Sequence, residues 1–139
     1  MSRKHYVLDA CAVIAFLAGE EGADKVKDLL DAAAESMAVI HVHRINLLEV
    51  YYDTYKAVGP EQTDTIYKKI LDLPISVEDV LDDTLLYKAG ELKAMNRISL
   101  ADAVALALAN RLSATLVTSD HHEFDAIEVA GHISFAWIR

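Results

Sequence analysis

Short apolar runs alternate with longer segments of helical periodicity along this chain. That alternation limits the fold more than any other feature. The runs fall at residues 6–8, 37–42, 74–77, 115–118 and 133–136. As short, nearly continuous apolar stretches they read as strands covered on both faces. Helical periodicity occupies 10–17, 23–34, 44–58, 61–73, 80–95 and 99–112, and Gly59-Pro60 stops the third of these. The helix over 99–112 is apolar nearly all round and is therefore predicted to be buried. Residues following Asp120 read as a loop. Strands separated by helices predict an α/β fold, an α/β/α sandwich around a mostly parallel sheet. In such folds ligands gather beyond the carboxyl ends of the strands.

A chain of 139 residues is expected to form a single domain spanning 1–139. Its composition, 53% hydrophobic and 25% charged, excludes a disordered chain. The single cysteine, Cys11, excludes a disulfide-stapled scaffold and reads as a small buried hydrophobe. Arg3-Lys4 and the apolar residues after it loosely imitate a signal peptide, but Asp9 falls inside the apolar region. Leu8-Asp9-Ala10-Cys11 imitates a lipoprotein cleavage site without a sufficient apolar stretch before it. No uncharged run is long enough to span a bilayer, so a soluble cytoplasmic protein is expected. The net charge of −9 counts modestly against a nucleic-acid binder, unless cations neutralise part of it, and it permits a basic protein partner.

Four carboxylates interrupt the apolar pattern. Asp9 ends Tyr6-Val7-Leu8, and Glu49 interrupts the helix over 44–58. Asp102 is the sole polar residue of LADAVALALA, and Asp120 closes the run that ends Val117-Thr118-Ser119. Burying a carboxylate is costly unless a cation or good hydrogen bonds compensate. Ordinary structural roles compete with a functional one. Asp9 is a good N-cap. Ser99-Leu100-Ala101-Asp102 matches a capping box, with Asp102 folding back to the Ser99 amide. Asp120 fits a turn after a strand. Glu49 has the weakest such role. It lies at the edge of a core stripe formed by Ile45, Leu48, Tyr52 and Tyr55, with Asn46 one turn earlier able to bond toward it.

The order and local context of these acids resemble the PIN-domain ribonucleases, and in particular the VapC toxins of toxin–antitoxin pairs. The resemblance rests on Val7-Leu8-Asp9-Ala10, Asn46-Leu47-Leu48-Glu49-Val50, Ser99-Leu100-Ala101-Asp102-Ala103 and Val117-Thr118-Ser119-Asp120. It covers nearly the whole chain. The resemblance implies a PIN-like α/β/α sandwich and a metal-dependent endoribonuclease hydrolysing RNA phosphodiester bonds. Asp9, Glu49, Asp102 and Asp120 would form its catalytic, metal-binding tetrad, holding one or two Mg²⁺ or Mn²⁺ ions. Its partners would be an RNA substrate, a cognate antitoxin and a second copy of the chain.

Around that tetrad, Asn46, Thr118, Ser119 and Asp125 are candidate supporting residues. Ordinary strand-end hydrogen bonding stands as the alternative for Thr118 and Ser119, and plain solvation for Asp125. Arg44, Arg97 and His121 are candidate RNA contacts, with Arg111 and His122 nearby; a solvated surface is the alternative for each. Tyr51, Tyr52, Tyr55 and Tyr67 are expected to pack in the core or to receive a partner helix. Two positions depart from the family pattern. Cys11 stands where Ser or Thr is frequent, and Phe124 lies four residues beyond Asp120 rather than three. The competing functional readings are an RNA-processing nuclease outside toxin–antitoxin systems, a PIN fold that only binds partners, and a receiver-type signalling domain. The last lacks an acidic neighbour beside Asp9 and a late lysine, since no lysine follows Lys93.

Overall fold

The computed structural model describes residues 3–131 and 133–139. Its strands are β1 (Lys4–Leu8), β2 (Ala38–His43), β3 (Ser76–Glu78), β4 (Thr115–Thr118) and β5 (Phe135–Trp137). Its helices are α1 (Ala10–Ala18), α2 (Ala23–Ala34), α3 (Arg44–Val58), α4 (Pro60–Leu71), α5 (Asp83–Met95), α6 (Leu100–Leu112) and α7 (His121–Ala130). The strands form one sheet in the order β3-β2-β1-β4-β5. Every neighbouring pair is parallel, with Tyr6 opposite Ile40 on one side and Thr115 on the other. The chain builds outward from β1 in both directions, so the strand order reverses between β1 and β4. That crevice is where a parallel α/β sheet offers a binding site.

Alternate residues of β1, β4 and β5 feed two cores. Val7 and Leu116 join α6 with Leu85, Ile98, Phe124 and Ile127 on one face. Leu8 and Val117 join Val26, Ile40, Val42, Leu47, Val50 and Ile70 on the other. From Asp102 to Ala109 every residue of α6 is buried, and four of them are alanines that let the helix sit close to its neighbours. Polar groups also line β2. His43 Nδ1 accepts from the Ile45 amide, so its protonated Nε2 donates to the Val80 carbonyl at 3.2 Å. His41 links His5 and Glu78, each at 2.8 Å. Gly22 has φ +97°, and a Cβ there would meet the Ile138 carbonyl oxygen at 2.6 Å. Only glycine lets the chain end pass that close to the start of α2.

Three expectations are corrected. The segment after Asp120 is the helix α7, started by an Asp120 cap that accepts from the Glu123 amide. The helix expected from residue 80 begins at Asp83, because Asp82 caps it through the Leu85 amide at 2.9 Å. The buried stripe of α3 is Asn46, Leu47 and Val50, while Leu48, Tyr52 and Tyr55 are exposed. The predicted stripe lay on nearly the opposite side of the helix, about 170° away at 100° per residue. Large apolar side chains drew that phase, yet the packed face carries an asparagine. Tyr51 does pack, edge-on against Tyr67 of α4 with ring centres 5.6 Å apart. Among the described residues, no helix is long and apolar enough to cross a membrane.

Candidate metal centre

The acids meet because helices start where strands end. Asp9 follows β1 directly and caps α1, its Oδ1 accepting from the Ala12 amide at 2.9 Å. Its Oδ2 accepts from the Thr118 hydroxyl at the end of β4. Thr118 Oγ1 in turn accepts from the Asp120 amide at 3.0 Å. One hydroxyl therefore ties the Asp9 carboxylate to the backbone of Asp120 across the β1–β4 crevice. Asp9 and Thr118 are both wholly buried.

Asp102 and Glu123 occupy equivalent places, each three residues past its helix cap. The Asp102 amide donates to Ser99 Oγ at 3.1 Å, and the Glu123 amide donates to Asp120 Oδ1 at 3.1 Å. The expected return bond from Asp102 to the Ser99 amide is not made. Glu123 Oε1 takes that amide instead, at 3.1 Å across from α7. This exchange frees the Asp102 carboxylate to face the crevice. Asp102, Asp120 and Glu123 each bring a carboxylate oxygen within 4.8 Å of the other two. Glu123 was not foreseen. The Asp120-x-x-Glu123 spacing before Phe124 and Ile127 is a helix-start pattern that could have located it.

The other predicted residues lie at varying distances from this trio. Glu49, in the second turn of α3, is half-buried and outside the close trio. Asn46 makes no bond to Glu49; it is fully buried, and neither its Nδ2 nor its Oδ1 has a hydrogen-bond partner. Ser119 is half-buried beside Asp120. Asp125 is exposed and outside the close trio, bonded to His121 Nδ1 at 2.8 Å. His121 lies on α7 rather than in a loop, and its Nε2 bonds the Arg139 carbonyl at 2.8 Å. Both partners are acceptors, so the ring satisfies both bonds only in its protonated form. Those same two bonds, the carbonyl first, raise its pKa. Arg44 is exposed at the start of α3, held by the Tyr67 hydroxyl at 3.2 Å and Asp79 at 3.7 Å. Arg97 is exposed in the loop before α6. Arg111 pairs with the Asp82 cap.

Electrostatics mark the cluster as one site. Burial pushes Asp9 up from 3.8 to about 7, against the two hydrogen bonds that favour its ionised form, with Asp120 and Glu49 adding repulsion. Burial also takes Asp102 to about 8, followed by repulsion from Asp9, Asp120, Glu123 and Glu49. Glu49 is raised by burial first, then by Asp53, Asp120 and Glu123. The Cys11 thiol, pushed up to about 12 by burial and by Asp9, Asp120, Asp102 and Glu49, senses the same field. The N-termini of α1, α6 and α7 converge here, and their partial positive charges offset only part of the repulsion. A divalent cation bound among these acids would relieve the remainder. An all-carboxylate oxygen donor set suits Mg²⁺ or Mn²⁺.

Comparisons with known proteins agree with this architecture. No curated protein sequence matches the chain. A DNA-bound VapBC2 complex from Rickettsia felis contains a chain 22% identical, aligned over 95% of this chain and 97% of that one, with a TM-score of 0.73. A DNA-bound VapBC complex from Salmonella typhimurium gives 17% identity, coverage of 99% and 100%, and a TM-score of 0.73. VapC20 of Mycobacterium tuberculosis, a toxin that cleaves the sarcin–ricin loop, gives 18% identity, coverage of 91% and 95%, and a TM-score of 0.66. These similarities establish the shared fold. A sequence model of the PIN domain matches residues 6–130, and the chain belongs to the PIN-domain family.

Proposed function

We propose that this PIN domain is a metal-dependent endoribonuclease and the toxin of a type II toxin–antitoxin pair. The observation that carries the reading is the convergence of Asp102, Asp120 and Glu123 oxygens within 4.8 Å, beside a buried Asp9. Asp102, Asp120 and Glu123 would hold Mg²⁺ or Mn²⁺, with Asp9 and Glu49 completing the acidic site. A bound cation supplies Lewis acidity to the phosphodiester and lowers the pKa of an attacking water. The residues of the chain do the positioning. Thr118 fixes the Asp9 carboxylate, and the Ser99 amide fixes Glu123. Glu49 remains half-exposed at the edge of the site, where it can take a proton from incoming water. The helix N-termini favour the anionic backbone of the substrate.

Partners follow from the surface. Leu48, Tyr52 and Tyr55 form an exposed apolar row on α3 next to Glu49 and Asp53. An antitoxin helix with an apolar face and a basic residue fits both features. The VapBC complexes of similar fold support an antitoxin partner, and the proposal includes a homodimer. Purified protein is expected to cut single-stranded RNA with Mg²⁺ or Mn²⁺ and to stop on chelation. Asp102→Asn should abolish cutting with an unchanged circular dichroism spectrum. Undiminished cutting by that variant, or full activity in chelator, overturns the mechanism. Growth arrest on expression, relieved by a neighbouring gene, tests the toxin assignment separately.

A further inference from the structure

Beside the acidic centre, three aromatic rings stack in a row. Phe135 and Trp137 of β5 lie with ring centres 5.4 Å apart and planes 10° apart. His121, the first residue of α7, stacks on Trp137 at 3.9 Å and 10°. The row is held from several sides. The Trp137 indole N–H donates to Glu128 at 2.8 Å. His121 Nδ1 donates to Asp125, and Nε2 donates to the Arg139 carbonyl.

These bonds decide what His121 can still do. Both ring nitrogens are committed, so the imidazole has no N–H to offer a phosphate. One face is covered by Trp137. Yet the side chain remains 49% exposed, and among the described residues Trp137 is the only ring stacked on it. Resting on Trp137, it is an aromatic plane held in place by two hydrogen bonds. His121 directly follows Asp120, so that plane borders the acidic trio.

We propose that the outer face of His121 is a base-stacking subsite, on which a nucleobase near the scissile phosphate extends the Phe135–Trp137–His121 row. The inference rests on the nuclease reading and adds to it a contact that grips the base rather than the phosphate. Stacking on an aromatic plane is tolerant of base identity, so the subsite would contribute affinity and register more than sequence choice. Trp137 is the only tryptophan of the chain, so its fluorescence reports directly on this row.

The test uses the full-length protein and a single-stranded RNA oligonucleotide that it cleaves, with Ca²⁺ replacing Mg²⁺ to slow turnover. A set of the same oligonucleotides, each lacking one base near the cleavage position, is titrated against Trp137 fluorescence. Wild-type protein should bind one abasic member about 5- to 100-fold more weakly than the intact RNA. His121→Ala should lose that discrimination and raise KM more than it lowers kcat. His121→Phe, which keeps the ring face and loses both hydrogen bonds, should restore it. Asp125→Ala should behave as wild type, because the ring face survives.

Equal affinity of the wild type for all abasic members overturns the subsite. So does equal impairment of His121→Phe and His121→Ala, which would mean that His121 serves only to fasten the chain end. Wild-type protein that cleaves no RNA with Mg²⁺ or Mn²⁺ refutes the nuclease reading and the subsite with it. Cleavage without His121-dependent discrimination refutes the subsite alone.

Discussion

Asp9→Asn should stabilise the metal-free protein at pH 8 while destroying its activity. Asp9 is wholly buried, and its pKa in the folded chain is about 7 against an ordinary 3.8. Between about pH 4 and pH 7 the folded chain holds a proton that the unfolded chain has released. Stability therefore falls as pH rises through that window, and the loss is complete above it. At about 1.4 kcal/mol per pH unit, the penalty reaches about 4 kcal/mol. An amide carries no charge and still caps α1 by accepting from the Ala12 amide. Its NH₂ would face Thr118 Oγ1 and strand the threonine hydroxyl proton, which returns about 1–2 kcal/mol. The net gain is about 2–3 kcal/mol, or about 6–9 °C in Tm for a chain of this size. Thermal unfolding in chelator at pH 4, 6 and 8 measures it. The advantage of the variant should grow with pH, and near pH 4, where the charge penalty is gone, the variant should be about 1–2 kcal/mol less stable than the wild type. Mg²⁺ should raise the Tm of the wild type more than that of the variant. A variant less stable than the wild type at pH 8 in chelator, or an advantage independent of pH, refutes the argument.

Further outcomes follow from the same contacts. Thr118→Val keeps the side-chain volume but removes the bridge from the Asp120 amide to Asp9; stability should drop by about 1–3 kcal/mol in denaturant unfolding, with cleavage falling as well. Gly22→Ala forces a Cβ against the Ile138 carbonyl at positive φ and should cost about 1–3 kcal/mol, read as a lower urea midpoint. Cys11, with its thiol pushed up to about 12, should resist iodoacetamide at pH 8 in the folded metal-free protein and react on unfolding, as followed by mass spectrometry. Glu123→Gln should weaken Mn²⁺ binding in calorimetry about 10-fold or more while leaving the circular dichroism spectrum intact.

The strands and most helices were legible because apolar runs and capping residues state local geometry directly. Residues 23–34 and 44–58 were bounded as they occur in α2 and α3. The phase of α3 was not legible. Its packed face includes Asn46, and its exposed face carries Leu48, Tyr52 and Tyr55, so side-chain size misled the assignment. The helix α7 was hidden by His121-His122-Glu123, three polar residues that look like a loop until Asp120 is seen as a cap. Missing α7 also hid Glu123, since its carboxylate reaches the site only from the third position of that helix. The capping box at Ser99 was half legible. The Asp102 amide bond follows from local spacing, but the partner of the Ser99 amide comes from another helix, which no local pattern encodes.

The most direct test of the metal centre is an anomalous difference map from crystals of this protein soaked in Mn²⁺. A peak at about 2–2.5 Å from carboxylate oxygens of Asp102, Asp120 and Glu123 is the predicted result. Absence of any peak among these acids at millimolar Mn²⁺, or a peak bound only elsewhere, would contradict the assignment of the cluster as one catalytic site.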